Sequence, residues 1–344
     1  MSRRPTIDDV AAQAGVSKGT VSFVLNGRAG VAAATKQRVL AAVEDLGWTP
    51  NRKARALSTS RADALGMVLA RDPVLLGSDP FFAPFIAGVE SVLAPLGQSL
   101  LIRFVSGETE AAAYRTLAAE KHADGVILSD LRRADPRIAL ARELGLPAIT
   151  LNRPTVRSEF PAACVDDRAG IASAVDHLVE LGHTRIAHVG GPEVYLHATG
   201  RRRAWAQAMR RHGLEPGDFV AADFTAASGA AATRTLLEVP KRERPTAVIY
   251  ANDLMAVAGM AVAQQLGLDV PADLSVVGFD DAELSAYLHP ALTTVRTDAF
   301  GFGRAAAELL LAAIEGGPPA DRDMPAAQLV VRDSTARASE RRSR

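Results

Sequence analysis

One cysteine in 344 residues, an aromatic content of 5% and a formal charge of zero are the shortages of this chain. The lone Cys164 cannot close an intrachain disulfide and has no neighbours for a metal site, so a reducing compartment is the default and a small core residue its expected part. No apolar run approaches the ~18 residues of a membrane span. The opening MSRRPTIDDV carries charge where a signal peptide needs an apolar stretch, so the expected location is the cytoplasm with no membrane partner. The seven histidines show no metal spacing, and His183 and His188, five apart across a turn and a strand, favour structural roles. Signatures of the GxSxG, HExxH and P-loop types are missing. No catalytic residue, metal or cofactor is expected.

What is present is a globular composition, 48% apolar and 23% charged, long enough for two to three domains. The zero net charge argues at first against nucleic acid, since neutralising phosphates needs excess Lys and Arg. It hides a partition. Through Arg61 there are ten basic residues against four acidic ones, a net of +6, and the remainder carries 29 against 35, a net of −6. A basic head on an acidic body is the asymmetry expected of a small nucleic-acid module joined to something else.

The head reads TIDDVAAQAGVSKGTVSFVLN from Thr6 to Asn26. Thr6 with Asp9 three positions on is a helix-start signal, and Ile7, Val10, Ala11 and Ala14 repeat at helical spacing. Gly15 stops that helix, and Ser17 can cap a second carrying Val21, Val24 and Leu25. Small Ala11 and the turn glycine suit two helices crossing steeply at short range, the helix-turn-helix geometry, although an ordinary helical hairpin would share them. A third helix, Thr35 to Leu46, is expected to place Val39, Leu40, Val43 and Leu46 on one face, closing a three-helix core.

From Ala64 onward short apolar runs alternate with helical patterns, first as ALGMVLA, SLLIRFV, GVILS and PAITLN, then as ACV, RIAHVGG, a strand near Val220, TAVIYAND and LSVVGFDD. The alternation predicts parallel strands with crossover helices, in two doubly wound lobes. Ligands of such sheets lie beyond the carboxyl ends of the strands. Asn152 and Arg153, Asp166, Asn252 and Asp253, and Asp280 and Asp281 occupy those positions. Asp253 and Asp281 are equally suited to capping the helices that follow. Gly301-Phe-Gly-Arg has the spacing of a dinucleotide loop but follows the polar stretch RTDAF, and no acidic residue stands about 20 residues on after a second strand. In RIAHVGGP, Pro192 removes an N–H that a phosphate cradle would use.

The ordered segments TIDDVAAQAGVSKGTVSFVLNG and TKQRVLAAVEDLGWTPNRKARAL resemble the DNA-binding head of the LacI-type family of bacterial transcription regulators. HLVELGHTRIAHVGGP, PTAVIYANDLMAVAG, VPADLSVVGFDDAEL, HPALTTVR and LVVRDST extend the resemblance over nearly the whole chain. It implies an all-α helix-turn-helix head at 1–49, a hinge helix and linker at 50–62, a periplasmic-binding-protein-like α/β body of two doubly wound lobes at 63–335, and a polar tail at 336–344. The helix beginning at Ser17 would enter the major groove, with Lys18, Gly19 and Phe23 at base-reading positions and Thr20 and Ser22 on phosphates. Thr6, Asn26, Asn51 and Arg55 complete the implied DNA-contacting set. Gly19 lacks a side chain, and Phe23 can pack on thymine methyls but cannot hydrogen-bond guanine, so the operator sequence does not carry over from relatives. Ala32, where the family usually has Ser, loses a possible cap.

In sugar-binding members the positions matching Arg201, Asn252 and Asp280 hold hydroxyl groups. Phe224 stands where an aromatic covers the sugar's apolar face, and Phe81 and Phe82 match a segment lining the other lobe. Ile249 replaces an aromatic used by purine-binding members, which disfavours a nucleobase. The resemblance therefore implies a ligand-responsive regulator, most often a repressor, with a sugar or sugar derivative as effector. A homodimer would bind double-stranded, near-palindromic operator DNA with half-sites about 34 Å apart. The tail ARASERRSR lacks leucine heptads, so no tetramerising coiled coil is expected. The competing class, a periplasmic sugar-binding protein, would share the body but have no use for residues 6–58; an enzyme is a more distant third. In PNRKARALS, the implied hinge, Leu57 corresponds to the leucine that wedges into the minor groove, the alternative being that it packs on the body. Leu57→Ala is accordingly expected to weaken operator binding and bending while preserving the fold and ligand affinity. Unchanged affinity and bending would remove the wedge assignment.

Overall fold

The computed structural model describes residues 5–25, 30–48 and 61–338, in two compact units, 1–62 and 63–344. Among the DNA-contacting candidates, Asn26, Asn51, Arg55 and Leu57 lie outside the described residues, as does most of the expected hinge.

In the first unit, α1 (Ile7–Ala14), α2 (Lys18–Leu25) and α3 (Ala33–Asp45) surround a small core. Asp9 reaches back to accept hydrogen bonds from both the Thr6 backbone N–H and hydroxyl at 2.7 Å, fixing the start of α1. Gly15 ends it with φ 64°, a left-handed turn that glycine adopts without steric penalty. Ser17 Oγ accepts from the Thr20 N–H at 3.1 Å, so the expected cap of α2 forms. The core is Val10, Ala11, Ala14, Val21, Val24, Val39 and Ala42. One expectation fails here, because Leu40 is 46% exposed. Val39, Ala42, Val43 and Leu46 follow the i, i+3, i+4, i+7 stripe, and Leu40, about 100° around the helix from Val39, misses it.

The second unit contains two six-stranded sheets. The first lobe orders its strands β11 (Arg322–Asp323), β5 (Ala162–Cys164), β4 (Ala148–Leu151), β3 (Gly125–Leu128), β1 (Ala64–Leu69) and β2 (Ser99–Phe104). The second orders them β12 (Gln328–Val330), β10 (Thr293–Arg296), β9 (Ser275–Phe279), β8 (Ala247–Tyr250), β6 (Ile186–Gly190) and β7 (Phe219–Ala221). All pairings are parallel except β10 with β12. After the short α4 (Val74–Ser78), helices α5 (Phe82–Leu93), α6 (Glu110–Ala119) and α7 (Pro136–Glu143) belong to the first lobe, and α8 (Asp167–Glu180), α9 (Leu196–Arg211), α10 (Ala226–Leu237) and α11 (Asp253–Gln265) to the second. Helix α12 (Ala299–Ile314) returns to the first lobe and packs beside α5.

The lobes are therefore discontinuous, and this corrects the sequence partition. ACV, expected to open the second series, is β5 and pairs with β4; its Cys164 is buried, as expected. The chain crosses between lobes after β5, again between β10 and α12, and a third time between β11 and β12. Residues 336–338, the first of the expected polar tail, are docked on the second lobe. His183 Nε2 meets the Ala336 carbonyl at 3.0 Å, and the Ala338 N–H donates to Leu181 O at 2.8 Å.

The glycine-rich run 301–303 also receives a packing explanation. A strand, β10, does precede it, but a Cβ at Gly303 would lie 2.0 Å from the Phe85 carbonyl oxygen, and one at Gly88 2.0 Å from that of Phe300. These glycines let α5 and α12 touch backbone to backbone. Gly303→Val is expected to cost at least ~1–3 kcal/mol, the range for overpacking a tight site, seen as a lowered denaturation midpoint. A stability equal to that of the parent would contradict the packing argument.

His188 has the structural role expected. Its Nδ1 meets the Ile249 carbonyl at 2.9 Å, with Trp205 and Phe219 against the ring. Burial pushes its pKa down from 6.5 to about 4, so the unfolded chain binds the extra proton between those values. Stability contributed by neutral His188 is thus present above pH 6.5 and lost as pH falls toward 4. Denaturant titrations of the parent and His188→Gln are expected to show a shallower acid slope in the variant.

Candidate functional site

Between the lobes, where the strand ends of both sheets converge, lies a cleft enclosing about 730 Å³ of empty space, the open solvent at its mouth included. All seven effector candidates line it, namely Phe81 and Phe82 from the first turn of α5 and the loop before it, Asn152 after β4, Arg201 on α9, Phe224 after β7, Asn252 after β8 and Asp280 after β9. Val165 and Thr297, on two of the interlobe crossings, line it too.

Arg201 is held firmly. Its Nε donates to Asp167 Oδ2 at 2.8 Å, with Nη2 2.7 Å from the same oxygen, its Nη1 donates to the Ala251 carbonyl at 3.0 Å, and its guanidinium lies 3.6 Å from the Phe279 ring centroid. Asn252 is equally committed. Its Oδ1 accepts from the Met255 N–H, capping α11, and its Nδ2 donates to the Phe224 carbonyl, each at 2.9 Å, which leaves one amide N–H for a ligand. Asn152 Oδ1 accepts from the Val165 N–H at 2.8 Å and ties β4 to the first crossing. Phe224 has φ 72° and lies over Gly191, where a Cβ would come within 2.1 Å of the ring. The glycines of RIAHVGGP thus make room for aromatic rings.

Asp280 has φ 103°, and among the described residues its carboxylate accepts no hydrogen bond. Burial and the nearby Asp79 push its carboxyl well above the ordinary range, with Arg201 opposing. It is the acceptor left open to a ligand.

Four central residues escaped the sequence reading. Arg71, just past β1, donates from Nε and Nη2 to Asp130 at 2.6 and 2.5 Å, and its Nη1 is 3.5 Å from Asp79. Its guanidinium lies 5.0 Å from the Tyr195 ring centroid and 5.1 Å from that of Phe224. His197 stacks between those two rings, at 5.6 and 5.7 Å, and burial pushes its pKa down to about 3, keeping it neutral. The strand-end rule that picks Asn152 and Asn252 also picks Arg71 after β1 and Asp130 after β3. Asp79 and His197 carry no such signal; His197 lies in the first turn of α9, which starts at Leu196.

Other expectations change. Asp253 does not cap α11; it accepts from the Ala282 N–H at 2.7 Å, Ser285 Oγ at 2.6 Å and Thr294 Oγ1 at 2.5 Å, pinning the loop after Asp280. Asp281 pairs with Arg296 and Arg332, each at 2.5 Å. Asp166 caps α8, and Arg153 turns to Asp321 and Asp323. Ile249 is fully buried in the core with Val277 and Phe279, away from the cleft, so its identity does not bear on whether a nucleobase binds.

In the head, α2 exposes Lys18, Gly19 and Phe23, the last at 44%, with Thr20 and Ser22 half-buried. Lys18 Nζ is 2.6 Å from Asp8 on α1, in a solvent-exposed pair of small energetic consequence. No helix among the described residues is long and apolar enough to cross a membrane.

A three-helix head of this type followed by a two-lobed body with a polar and aromatic cleft defines a DNA-binding regulator with a small-molecule site. Residues 6–51 match the bacterial regulatory proteins of the lacI family, and residues 175–335 match the periplasmic binding protein-like domain. The chain is 36% identical over 318 residues to the HTH-type transcriptional regulator CelR of Thermobifida fusca, covering 91% of this chain and 93% of CelR. It superposes on the solved CelR–cellobiose complex with a TM-score of 0.74 at 34% identity, covering 96% of this chain and 100% of that one. Against the lac repressor dimer bound to operator and the anti-inducer ONPF, the TM-score is 0.84 at 30% identity, covering 97% and 100%. The chain belongs to the lacI family of bacterial transcriptional regulators.

Asp253 holds the Asp280 loop by two hydrogen bonds and anchors it to β10 by a third from Thr294, so Asp253→Ala is expected to lower the denaturation midpoint and loosen that loop, seen as faster amide exchange over 280–286. Exchange unchanged across that segment would sink the pinning role.

Proposed function

We propose that the protein is a ligand-responsive transcriptional repressor acting in the cytoplasm as a homodimer, with a sugar or sugar derivative in the interlobe cleft controlling operator affinity. The observation that carries this reading is the convergence, in one cleft, of two aromatic walls, an open carboxylate and fixed amide and guanidinium donors. Apolar rings cover a pyranose face while carboxylates accept from its hydroxyls. CelR was solved with cellobiose and the lac repressor with operator, as a dimer, which supports the same pairing of functions here. A regulatory role accounts for both units together, whereas an enzyme or a periplasmic binding protein leaves the head without a use.

In this reading α2 is the recognition helix. Lys18, Gly19 and Phe23 face base edges, and Thr20, Ser22 and Thr6 lie toward phosphates. Ser17 serves first as the cap of that helix, and Asn26, Asn51, Arg55 and Leu57 extend the interface beyond the described residues. Residues 50–62 join the head to the body as a hinge and linker. Ligand in the cleft changes the free energy of one lobe arrangement relative to another, and that difference is what can reach the DNA.

Sequences bound by the full-length chain should first be selected from a random DNA pool, and sugars then titrated into that complex. A near-palindromic consensus and a sugar-dependent change in its affinity are expected. Asp280→Ala is expected to keep the DNA affinity and lose the sugar response. A normal response in that variant would displace the effector from this cleft.

A further inference from the structure

The charges facing the cleft are unbalanced. Asp79, Asp130, Asp167 and Asp280 line it against only two cations, Arg71 and Arg201. Both guanidiniums are already engaged. Arg71 is bidentate to Asp130, with its remaining nitrogen toward Asp79 and aromatic rings beside it. Arg201 has its Nε–Nη2 edge on Asp167 and an Nη1 hydrogen on the Ala251 carbonyl, with its face on Phe279, so what it keeps for a ligand is single N–H bonds beside an already neutralised charge. His197 is held neutral by burial.

An entering phosphate or carboxylate would meet Asp280 and find each guanidinium already neutralised by a carboxylate, and like charges brought together in a shielded site cost several kcal/mol. A single proton shared by the Asp79 and Asp280 pair lowers the excess from two negative charges to one and still leaves no unpaired cation in the lining. Hydroxyls and ammonium groups meet the opposite situation, since each brings the hydrogens that the carboxylates lack.

Resting on the assignment of the cleft as the effector site, we infer that it admits uncharged or amine-bearing hydroxyl-rich ligands and excludes phosphorylated and carboxylated ones. The discrimination comes from the excess of carboxylates together with the prior engagement of both arginines. Size and shape do not enter it, so it should hold across unrelated ligand skeletons.

Calorimetric titration of the full-length chain tests this with matched sets. Glucose and cellobiose are compared with glucosamine, glucose 6-phosphate and glucuronate, and adenosine and cytidine with their 5′-monophosphates. The expected result is binding of a neutral or amino form at least about tenfold tighter than its anionic counterpart. An anionic form binding as tightly as its neutral parent, or more tightly, overturns the charge inference while leaving the sugar reading intact. Binding of a nucleoside over its nucleotide with no sugar bound supports the charge inference and overturns the sugar reading. Silence across both sets overturns both. Asp280→Asn, checked for a native melting transition, is expected to narrow the neutral-to-anionic ratio severalfold, and Asp79→Asn provides the same test should the first variant fail to fold. An unchanged ratio in a folded variant removes the cleft carboxylates as its cause.

Discussion

The geometry of the effector unit turns on the burial of one guanidinium between two lobes. Arg71 belongs to the first lobe by sequence and by charge, since Asp130 and Asp79 neutralise it there. Two of the rings beside it, Tyr195 and Phe224, belong to the second. A buried cation is tolerable only while its partners stay in place, and the aromatic faces contribute only while the lobes are together. Beside it, the Leu196 N–H donates to the Leu131 carbonyl at 2.8 Å, and Arg132 forms a single β-bridge with Tyr195. Opening the lobes would therefore break a connected set of contacts, so that a ligand settling beside Arg71 acts directly on the energy that holds the lobes in this arrangement.

Around that contact the site is held rigid by hydrogen bonds and by unfavourable backbone. Asn152, Phe224, Asp280 and Asp130 all have φ between 51° and 103°, a region that side-chain-bearing residues avoid and that persists only where the surroundings over-determine it. The surroundings do so here. The Val165 N–H is bound to Asn152, the Phe224 carbonyl to Asn252, and the loop beyond Asp280 to Asp253. Each of these side chains uses part of its hydrogen-bonding capacity to build the cleft. What remains open, above all the Asp280 carboxylate, is correspondingly well defined.

Three crossings of the chain between the lobes give this rigidity its mechanical meaning. Val165 and Thr297 stand on two of them and line the cleft as well, so segments that join the lobes also face the proposed effector site. Helix α12 is the clearest product of that topology. It leaves the second lobe, returns to the first and packs on α5 through Gly88 and Gly303, locking the third segment of the chain into a lobe whose strands β1 to β5 end at Cys164.

The residues themselves determined the head, the alternation of strands and helices, and the polar groups at strand ends, because these depend on local periodicity and on turn and cap chemistry within a few positions. Asn152, Asn252 and Asp280 meet in the cleft for that reason, whereas Phe81, Phe82, Arg201 and Phe224, which line it too, were legible only through the resemblance to the family. Tertiary structure alone decided which strand joins which sheet, as β5 shows, since pairing depends on partners distant in the chain. It alone decided the parts of Asp253 and Asp281, whose carboxylates suit a cap or a loop tie equally until the acceptors and donors around them are in place. And it alone brought Arg71, Asp79, Asp130 and His197 together, four residues with no shared spacing, because the pairing of a buried charge is settled by what surrounds it once the lobes have closed.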